Sequence, residues 1–260
     1  MKKIAVIGTG NLGIAIIEGL IKNDAFSPNQ IIATRNNLGK IKFLEDKGVK
    51  VTNDNNAAIQ EADYVLLCVK PYRVEEVLTQ LKNNFTSNKI LISVATGISV
   101  SKYEEILSKD ISVFRAMPNT GAAVEESITC ICGNTKDEET IRNVETIFAS
   151  IGETVIINEE LMNAATVIGA CGIAYVLRFI RAMIQGGIEI GFDTNTATKI
   201  VTQTVKGAAE LLITNGLHPE QEIDKVTTPK GCTIAGLNEM EHQGFSSALI
   251  KGIITSYEKI

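Results

Sequence analysis

Eight short runs of apolar, often β-branched residues fill the first 156 residues and alternate with stretches of helical pattern. The runs are "KIAVI", "QIIAT", "VKVT", "YVLLCV", "KILISV", "ISVFRA", "SITCIC" and "GETVII". Continuous apolar strands separated by helices are typical of parallel βαβ units, in which both faces of the sheet are covered. We therefore predict an α/β fold that begins with a Rossmann-type, doubly wound, mostly parallel sheet over residues 1–157.

The strand pattern stops after Ile157, and the rest of the sequence has helical periodicity. We expect helices over about 159–191, 194–215 and 229–259, because glycine-containing breaks follow the first two. No flexible linker or internal repeat separates the halves. The sequence thus predicts an all-helical second domain over residues 158–260.

The stretch 161–177 is apolar enough to raise the question of a membrane span. It is shorter than a span, and Arg178, Arg181 and Glu189 follow within the same predicted helix. Small residues spaced four apart would let another helix approach closely. We expect no membrane association, a homodimer formed through the C-terminal helices, and as an open alternative a larger ring of dimers.

Composition excludes several classes of function. The net charge is −5 and the basic residues are scattered, which argues against nucleic-acid binding. The N-terminus lacks the pattern of a signal peptide, so we expect a cytoplasmic protein. Five cysteines without a C-x-x-C pair, and isolated His218 and His242, argue against disulfides and predict no metal site.

The first chemical motif is Gly8-Thr9-Gly10-Asn11-Leu12-Gly13, between the first predicted strand and a helix. In dinucleotide-binding folds the three glycines permit a tight turn, close approach of the diphosphate, and close packing of helix on strand. The motif alone is weak, since glycine turns are common. Its context favours a cofactor site over a structural turn.

The end of the second predicted strand bears on which dinucleotide binds. An Asp or Glu there would bind the ribose of NAD, but this sequence has Thr34-Arg35-Asn36. The Arg35 guanidinium suits the 2′-phosphate of NADP, although a solvated loop arginine is the plainer interpretation. NADPH is favoured, and NADH stays open.

"CVKP" (68–71) and "RAMPNT" (115–120) follow two later predicted strands. Ligands of open α/β sheets bind at the carboxyl ends of strands, so both segments are expected to line the cofactor crevice. Taken singly, each is more often a simple loop.

The order of the motifs, with "GIAYV" and "TTPKGCTIAGLNEMEHQGF" after "RAMPNT", resembles the pyrroline-5-carboxylate reductase family over essentially the whole chain. The last segment is similar to that family's Thr/Ser-Pro-Gly-Gly-x-Thr signature. The resemblance implies NAD(P)H-dependent reduction of a cyclic imine to proline, with the substrate carboxylate held by the "TTPKGCT" loop.

The motifs and the resemblance together give a set of candidate site residues. Those expected at the cofactor are Gly8, Gly10, Asn11, Leu12, Thr34, Arg35, Asn55, Val69, Lys70, Pro71, Met117, Pro118 and Asn119. Those expected at the substrate are Thr228, Lys230, Gly231, Cys232 and Thr233. Thr233 is the expected catalytic residue, as a proton relay.

The substrate loop has its own physical rationale. Thr228 suits the N-cap of a helix and Pro229 its first position. The following amides would then lack intrahelical partners and form a carboxylate receptor. The recognised motifs contain no dedicated acid, so we expect catalysis to depend on orientation of the ring near the nicotinamide. A plain capped helix start is the alternative.

Departures from the family pattern keep other functions open. Residues 169–173 have lost two hydroxyls and a proline, Lys230 stands where glycine is usual, and Gly121 stands where proline is common. Reduction of another cyclic imino acid and a non-catalytic NADP(H)-binding regulator remain alternatives. A β-hydroxyacid dehydrogenase would need a lysine between Asn163 and Arg181, and the sequence has none there.

Overall fold

The computed structural model describes residues 2–260, and the chain divides into two compact units. The first extends to Cys171 and includes Ile260, and the second spans Gly172–Lys259. The domain boundary predicted from the sequence lies earlier, at 157/158. The compact unit continues further because Met162 and Val167 are buried against the sheet.

The first unit is built on an eight-stranded sheet, counted over residues 2–260. Its strands are β1 Ile4–Ile7, β2 Ile31–Thr34, β3 Lys50–Thr52, β4 Tyr64–Leu67, β5 Ile90–Ser93, β6 Ser112–Met117, β7 Ser127–Gly133 and β8 Gly152–Ile156. Each predicted run forms a strand. The spatial order is β3-β2-β1-β4-β5-β6-β7-β8, and every pair is parallel except β6 with β7.

Seven α-helices accompany this sheet within the described residues. They are α1 Asn11–Lys22, α2 Phe43–Asp46, α3 Asn55–Glu61, α4 Val74–Leu81, α5 Val100–Ile106, α6 Glu138–Ala149 and α7 Met162–Ala165. Short 3₁₀ turns join several of them. A side-chain N-cap marks the start of α3, where the Asp54 carboxylate accepts the amides of Asn56 and Ala57.

Two apolar clusters cover the two faces of the sheet. Side chains of α1 and α6, such as Leu20 and Phe148, form one with alternate strand residues. Side chains of α3, α4 and α5, such as Leu78 and Tyr103, form the other. Burying a side chain of this size contributes about 1.5–3 kcal/mol. Because both faces are covered, the inner strands β1, β2, β4, β5 and β6 are largely apolar and buried, as the sequence predicted, whereas the edge strands β3 and β8 are partly exposed.

The strand order reverses between β1 and β4, which lie side by side with β2 beyond β1. In doubly wound sheets, ligands bind outside the carboxyl ends of the strands at this switch point. The loops after β1, β2 and β4 therefore meet where the glycine motif begins.

The segment 159–171 joins the sheet to the later helices, and we call it the connector. It contains a 3₁₀ turn at Glu159–Leu161, then α7, then a π-helix at Thr166–Cys171. The expected helix over about 159–191 is confirmed as one helical stretch, Glu159–Glu189, whose geometry changes from 3₁₀ to α to π and back to α. π-Helical turns are rare and often mark functional sites.

The second unit consists of helices. They are α8 Gly172–Glu189, α9 Thr194–Asn215, α10 Pro219–Lys225, α11 Cys232–His242 and α12 Phe245–Tyr257. Within it, Tyr175 Oη donates to Ser256 Oγ at 2.6 Å, and the rings of Phe179 and Phe245 lie 6.1 Å apart. These contacts join α8 to α12.

The expected helix over 194–215 is confirmed, and it ends at Gly216 with φ +62°. The expected helix over 229–259 is wrong: it is two helices, separated at Gly244 with φ +80°, and α10 precedes them. Left-handed backbone at this glycine ends one helix and begins the next.

The second unit leaves many large apolar side chains exposed. On α8, Val176, Leu177 and Phe179 are exposed, as are Leu249 and Ile254 on α12. The helical stretch Glu159–Glu189 is long and apolar enough to cross a membrane by length and composition, and only 6% of its most apolar window is buried. This surface needs a covering, since exposed apolar patches of this kind mark interaction sites.

Candidate functional site

The glycine loop after β1 has the conformation that its glycines permit. Gly8 has φ +83°, and a Cβ there would lie 2.6 Å from Val69 Cγ1. A Cβ on Gly13 would lie 3.2 Å from Val6 Cγ1, so this glycine lets α1 approach β1 closely. At Gly10 a Cβ would meet only the Gly8 carbonyl, at 3.9 Å. That position is open for a ligand.

Thr34, at the end of β2, holds the glycine loop in place. Its carbonyl accepts the Thr9 amide at 2.8 Å, and its hydroxyl accepts the Gly8 amide at 3.3 Å. The Thr9 hydroxyl in turn donates to the Val6 carbonyl at 3.1 Å. Thr34 is buried, so its side chain supports the loop from below.

The N-terminus of α1 lies at the end of this loop. Gly10 is the N-cap, and the first bond within the helix runs from the Ile14 amide to the Gly10 carbonyl at 2.9 Å. The amides of Asn11, Leu12 and Gly13 therefore have no intrahelical acceptor. No acidic residue lies in the first turn. Such a terminus binds phosphate through its amides and the helix dipole.

A first cavity, of about 310 Å³, lies on one side of the glycine loop. We call it the charged cavity, and it is lined by Ile7, Gly8, Thr9, Gly10, Thr34, Arg35, Asn36, Asn37, Lys40, Asn55, Val69, Arg73 and Val77. Three of these residues are cationic, and none of the described lining residues is Asp or Glu. This composition fits a phosphorylated ribose better than a plain one.

The cations of the charged cavity have different local roles. Arg35 Nη1 donates to the Thr9 carbonyl at 2.9 Å, so this arginine is tied to the glycine loop. Lys40 is exposed. Arg73 Nε lies 3.3 Å from Glu76 Oε2 in an exposed ion pair. Within residues 2–260, Lys40 has no ion-pair partner, whereas Arg35 and Arg73 each already donate to a protein acceptor.

Four lining residues of this cavity were not predicted from the sequence: Lys40, Arg73, Asn36 and Asn37. Lys40 lies five residues after Arg35, and a scan of that loop for further cations would have found it. Arg73 comes from a different loop, two residues after Pro71, and only the fold brings it near Arg35.

A second cavity, of about 370 Å³, lies beside the first turns of α1. We call it the apolar cavity, and it is lined by Asn11, Leu12, Ala15, Pro118, Asn119, Thr120, Ala122, Ala123 and Ala170. The expected residues Pro118 and Asn119 are therefore placed together with Asn11 and Leu12. The alanines and Thr120 were not expected, because short apolar side chains give no signal in a single sequence.

Three expected cofactor residues line neither cavity. Lys70 and Pro71 are exposed in the turn that leads into α4. Met117 is buried beside Cys132 and Met162. Their contact with a cofactor stays a prediction.

The structure of the expected substrate loop, residues 228–233, differs from the prediction in where the helix begins. The Gly231 amide donates to the Thr228 carbonyl at 2.9 Å, and Lys230 has φ +61°. With Pro229 as its second residue, this is a type II turn, in which glycine is usual at the third position. The N-cap is Gly231 and the helix begins at Cys232, so the expected N-cap at Thr228 and helix start at Pro229 are wrong.

The helix begins after Lys230 because the left-handed backbone of this residue cannot be part of a right-handed helix. The free amides at the start of α11 are therefore those of Cys232, Thr233 and the residues that follow. Thr228, Lys230, Cys232 and Thr233 are exposed, and Gly231 is half-buried. The loop still presents amides, a hydroxyl and an ammonium group to solvent.

The cysteine near the crevice does not add a charge. Burial raises the pKa of the Cys68 thiol to about 12, so it is neutral at physiological pH. None of the described residues lining the two cavities is His, Asp or Glu. In residues 2–260, no cluster of three His, Cys, Asp or Glu side chains is arranged to hold a metal ion.

A doubly wound sheet with its switch point at the glycine loop, a helix N-terminus open to phosphate and a cationic cavity beside it define a dinucleotide-binding protein of the Rossmann class. Comparison with known proteins agrees. A family model described as pyrroline-5-carboxylate reductase dimerisation matches residues 159–260, and one described as NADP oxidoreductase, coenzyme F420-dependent, matches residues 3–97.

Individual relatives give the same result. Pyrroline-5-carboxylate reductase 2 of Dictyostelium discoideum is 42% identical, over 99% of this chain and 92% of that protein. Pyrroline-5-carboxylate reductase 1 of the same organism is 44% identical over 98% of this chain. This chain spans only 49% of the length of pyrroline-5-carboxylate reductase 1.

Solved structures are similar over the whole chain. A pyrroline-5-carboxylate reductase from Coxiella burnetii is 30% identical, with a TM-score of 0.93 over 99% of this chain and 97% of that one. The Plasmodium falciparum pyrroline carboxylate reductase, solved with NADP bound, is 27% identical, with a TM-score of 0.87 over 99% and 96%. The chain belongs to the pyrroline-5-carboxylate reductase family, which confirms the resemblance drawn from its motifs.

Proposed function

We propose that this chain reduces 1-pyrroline-5-carboxylate to L-proline with NADPH. One observation carries the proposal: a cationic cavity borders the glycine loop, and an apolar cavity borders the N-terminus of α1 that follows it. A dinucleotide bound across that loop would have its phosphorylated ribose at one end and its uncharged nicotinamide at the other.

The residues of the charged cavity fit NADP. Gly10 leaves room for the diphosphate, which the amides of Asn11 and Leu12 would bind. Lys40 and Arg73 would bind the 2′-phosphate, and Arg35 would hold the glycine loop while sharing that charge. Of the expected cofactor residues, Asn55 and Val69 line this same cavity.

When bound, the cofactor supplies a hydride to the carbon of the ring C=N bond. The protein must present the ring with its nitrogen protonated, because an iminium accepts a hydride far more readily than an imine. The described walls of both cavities lack a carboxylate or imidazole. Binding and orientation of the ring therefore account for most of the catalysis, and we assign the proton at the ring nitrogen to the Thr233 hydroxyl or to a water that it holds.

We assign the substrate carboxylate to the turn and helix start at 228–233. The amides of Cys232 and Thr233 lie in the first turn of α11 and suit a carboxylate. Lys230 adds a positive charge in the same turn. Thr228 and Gly231 close the turn through the bond from the Gly231 amide to the Thr228 carbonyl.

The chain carries the family's dimerisation domain at residues 159–260. We propose that a second copy of the chain, rather than lipid, covers the exposed apolar side chains of α8 and α12. We further propose a soluble, cytoplasmic protein whose dimers can assemble into a ring. Sedimentation without detergent at micromolar concentration is expected to give dimers or multiples of them. A monomer, or a protein that requires detergent, would contradict this assignment.

The activity is tested by following NADPH oxidation with 1-pyrroline-5-carboxylate. Piperideine-2-carboxylate and NADH serve as parallel comparisons. Saturable turnover of the five-membered ring, with NADPH preferred, is the expected result. NADPH binding without turnover of the five-membered ring would overturn the proposal in favour of another imino acid or a regulatory role.

A further inference from the structure

The side chain of Asn119 joins the loop after β6 to the connector. Its Oδ1 accepts the Gly121 amide at 2.8 Å, and its Nδ2 donates to the Gly169 carbonyl at 3.1 Å. Its own amide donates to Ser127 Oγ at 3.0 Å. Asn119 is only 7% exposed, so these bonds form in a largely dry environment.

Gly121 is suited to this arrangement. A Cβ at Gly121 would lie 2.4 Å from the Glu126 carbonyl oxygen and 2.8 Å from Asn119 Oδ1. A proline there would also remove the amide that Oδ1 accepts. With the oxygen directed at Gly121, the NH₂ group of Asn119 is directed at Gly169.

Gly169 lies within the π-helix, and the next residue, Ala170, forms part of the wall of the apolar cavity. The opposite wall comes from α1 and from the loop after β6. The bond from Asn119 to Gly169 therefore connects two walls of one cavity.

The other end of the connector is also attached to β6. Arg115 Nη1 donates to Glu159 Oε1 at 2.8 Å, and the same oxygen accepts the Val100 amide at 2.7 Å. Arg115 and Asn119 thus hold the two ends of the connector. Because the first end is fixed independently, loss of the Asn119 bond is expected to release only the end that carries Ala170.

We propose that Asn119 is a positioning residue, which fixes Ala170 in the wall of the apolar cavity and so sets how tightly the imino-acid ring is held beside the nicotinamide that we assign to this cavity. The proposal rests on the proposed function only for the identity of that ring. The position of the connector is a property of the free protein and can be measured without substrate or cofactor.

The variants are Asn119→Ala, which removes the side chain, and Asn119→Asp, which retains the acceptor for Gly121 but places a carboxylate oxygen against the Gly169 carbonyl. Asn134 provides a matched control. Its Oδ1 accepts the Val113 amide at 2.9 Å and its Nδ2 donates to the Ile111 carbonyl at 3.0 Å, at the opposite end of β6. Asn134→Ala removes a similar bridge that does not line the cavity.

Hydrogen exchange of the free protein is the first measurement. Peptides covering residues 166–172 are expected to exchange faster in both Asn119 variants and at the wild-type rate in Asn134→Ala. Unchanged exchange in the Asn119 variants would overturn the proposal. This outcome is independent of whether the wild-type protein reduces 1-pyrroline-5-carboxylate.

Steady-state kinetics is the second measurement. We expect the KM for the imino acid to rise about tenfold in Asn119→Ala, with a smaller change in kcat, as fits the loss of one hydrogen bond that leaves a buried group unpaired. NADPH affinity, measured by fluorescence titration, is expected to fall by a smaller factor than the KM rises, although Asn119 lines the cavity to which the nicotinamide is assigned. A weakened NADPH affinity with an unchanged KM would instead make Asn119 a cofactor contact and refute the positioning role.

Discussion

The three cations of the charged cavity, Arg35, Lys40 and Arg73, are expected to contribute differently to cofactor binding because their contacts differ. Arg35 is tied to the Thr9 carbonyl at 2.9 Å, whereas Lys40 and Arg73 border the same cavity from other loops. Removing Lys40 or Arg73 should therefore weaken NADPH and spare NADH, which lacks the 2′-phosphate. Removing Arg35 should weaken both cofactors, because the glycine loop loses a support.

The expected loss of NADPH affinity follows from the solvent exposure of the Lys40 and Arg73 side chains. A hydrogen bond to a charged group contributes about 1.5–3 kcal/mol when protected, but exposed ion pairs contribute about 0–1 kcal/mol. Lys40 is exposed and the Arg73 side chain is 41% exposed, so about 1 kcal/mol each is reasonable. That corresponds to NADPH affinity about fivefold weaker in each single variant and about thirtyfold weaker in the double variant.

The assay is fluorescence titration of NADPH and NADH against Lys40→Ala, Arg73→Ala, the double variant and Arg35→Ala. Glu76→Gln is the matched control, since it frees Arg73 from its ion pair and should strengthen NADPH binding slightly. High salt should reduce the difference between the cofactors because these charges are screened. Equal losses for NADPH and NADH in the double variant would refute the assignment of the 2′-phosphate to Lys40 and Arg73.

Three further predictions concern the glycine loop, the Thr233 hydroxyl and pH. Gly8→Ala should lower the free energy of unfolding by about 2–3 kcal/mol in urea titrations, because φ +83° and the contact with Val69 both oppose a Cβ, while Gly10→Ala should leave stability unchanged and weaken only cofactor binding. Thr233→Ala should lower kcat about a hundredfold with NADPH affinity and melting temperature unchanged, and Thr233→Ser should restore most activity; full activity in the alanine variant would exclude the relay. The buried Cys68 thiol, with its pKa raised to about 12, retains its proton in the folded state where an unfolded thiol loses it near pH 8.5, so stability should fall as pH rises from about 8.5 to 12, and less steeply in Cys68→Ala.

Much of the first unit could be predicted from the sequence for a clear physical reason. Strands covered on both faces are largely apolar, and this pattern identified the inner strands; the partly exposed edge strands β3 and β8 were identified from shorter β-branched runs. The glycine motif was equally readable, since Gly8 and Gly13 occupy positions where a Cβ meets Val69 or Val6. Such local demands leave direct marks in the sequence.

Features that depend on neighbours from distant parts of the chain could not be predicted. Arg73 joins Arg35 in one cavity only because β4, which precedes Arg73, and β2, which precedes Arg35, lie on either side of β1 in the sheet. The π-helix lies in a segment whose helical periodicity continues unbroken, and its contacts are with distant parts of the chain: Asn119 donates to the Gly169 carbonyl, and Val167 is buried. The start of α11 was misplaced because Lys230 adopts a backbone conformation that its residue type disfavours.

The antiparallel strand β7 explains why the apolar cavity lies where it does. A parallel successor to β6 would need a crossover helix, which would cover the face of the sheet that carries Met117. The chain instead returns through a short loop over the carboxyl end of β6, and β7 pairs with β6 directly. Met117 and Cys132 are then left for the connector to cover, which it does with Met162 and Ala170. Because the connector packs on that face, Ala170 comes to lie beside the loop after β6 and the first turns of α1. The reversal of one strand thus brings the start of the dimerisation domain to the wall of the cavity to which we assign the nicotinamide.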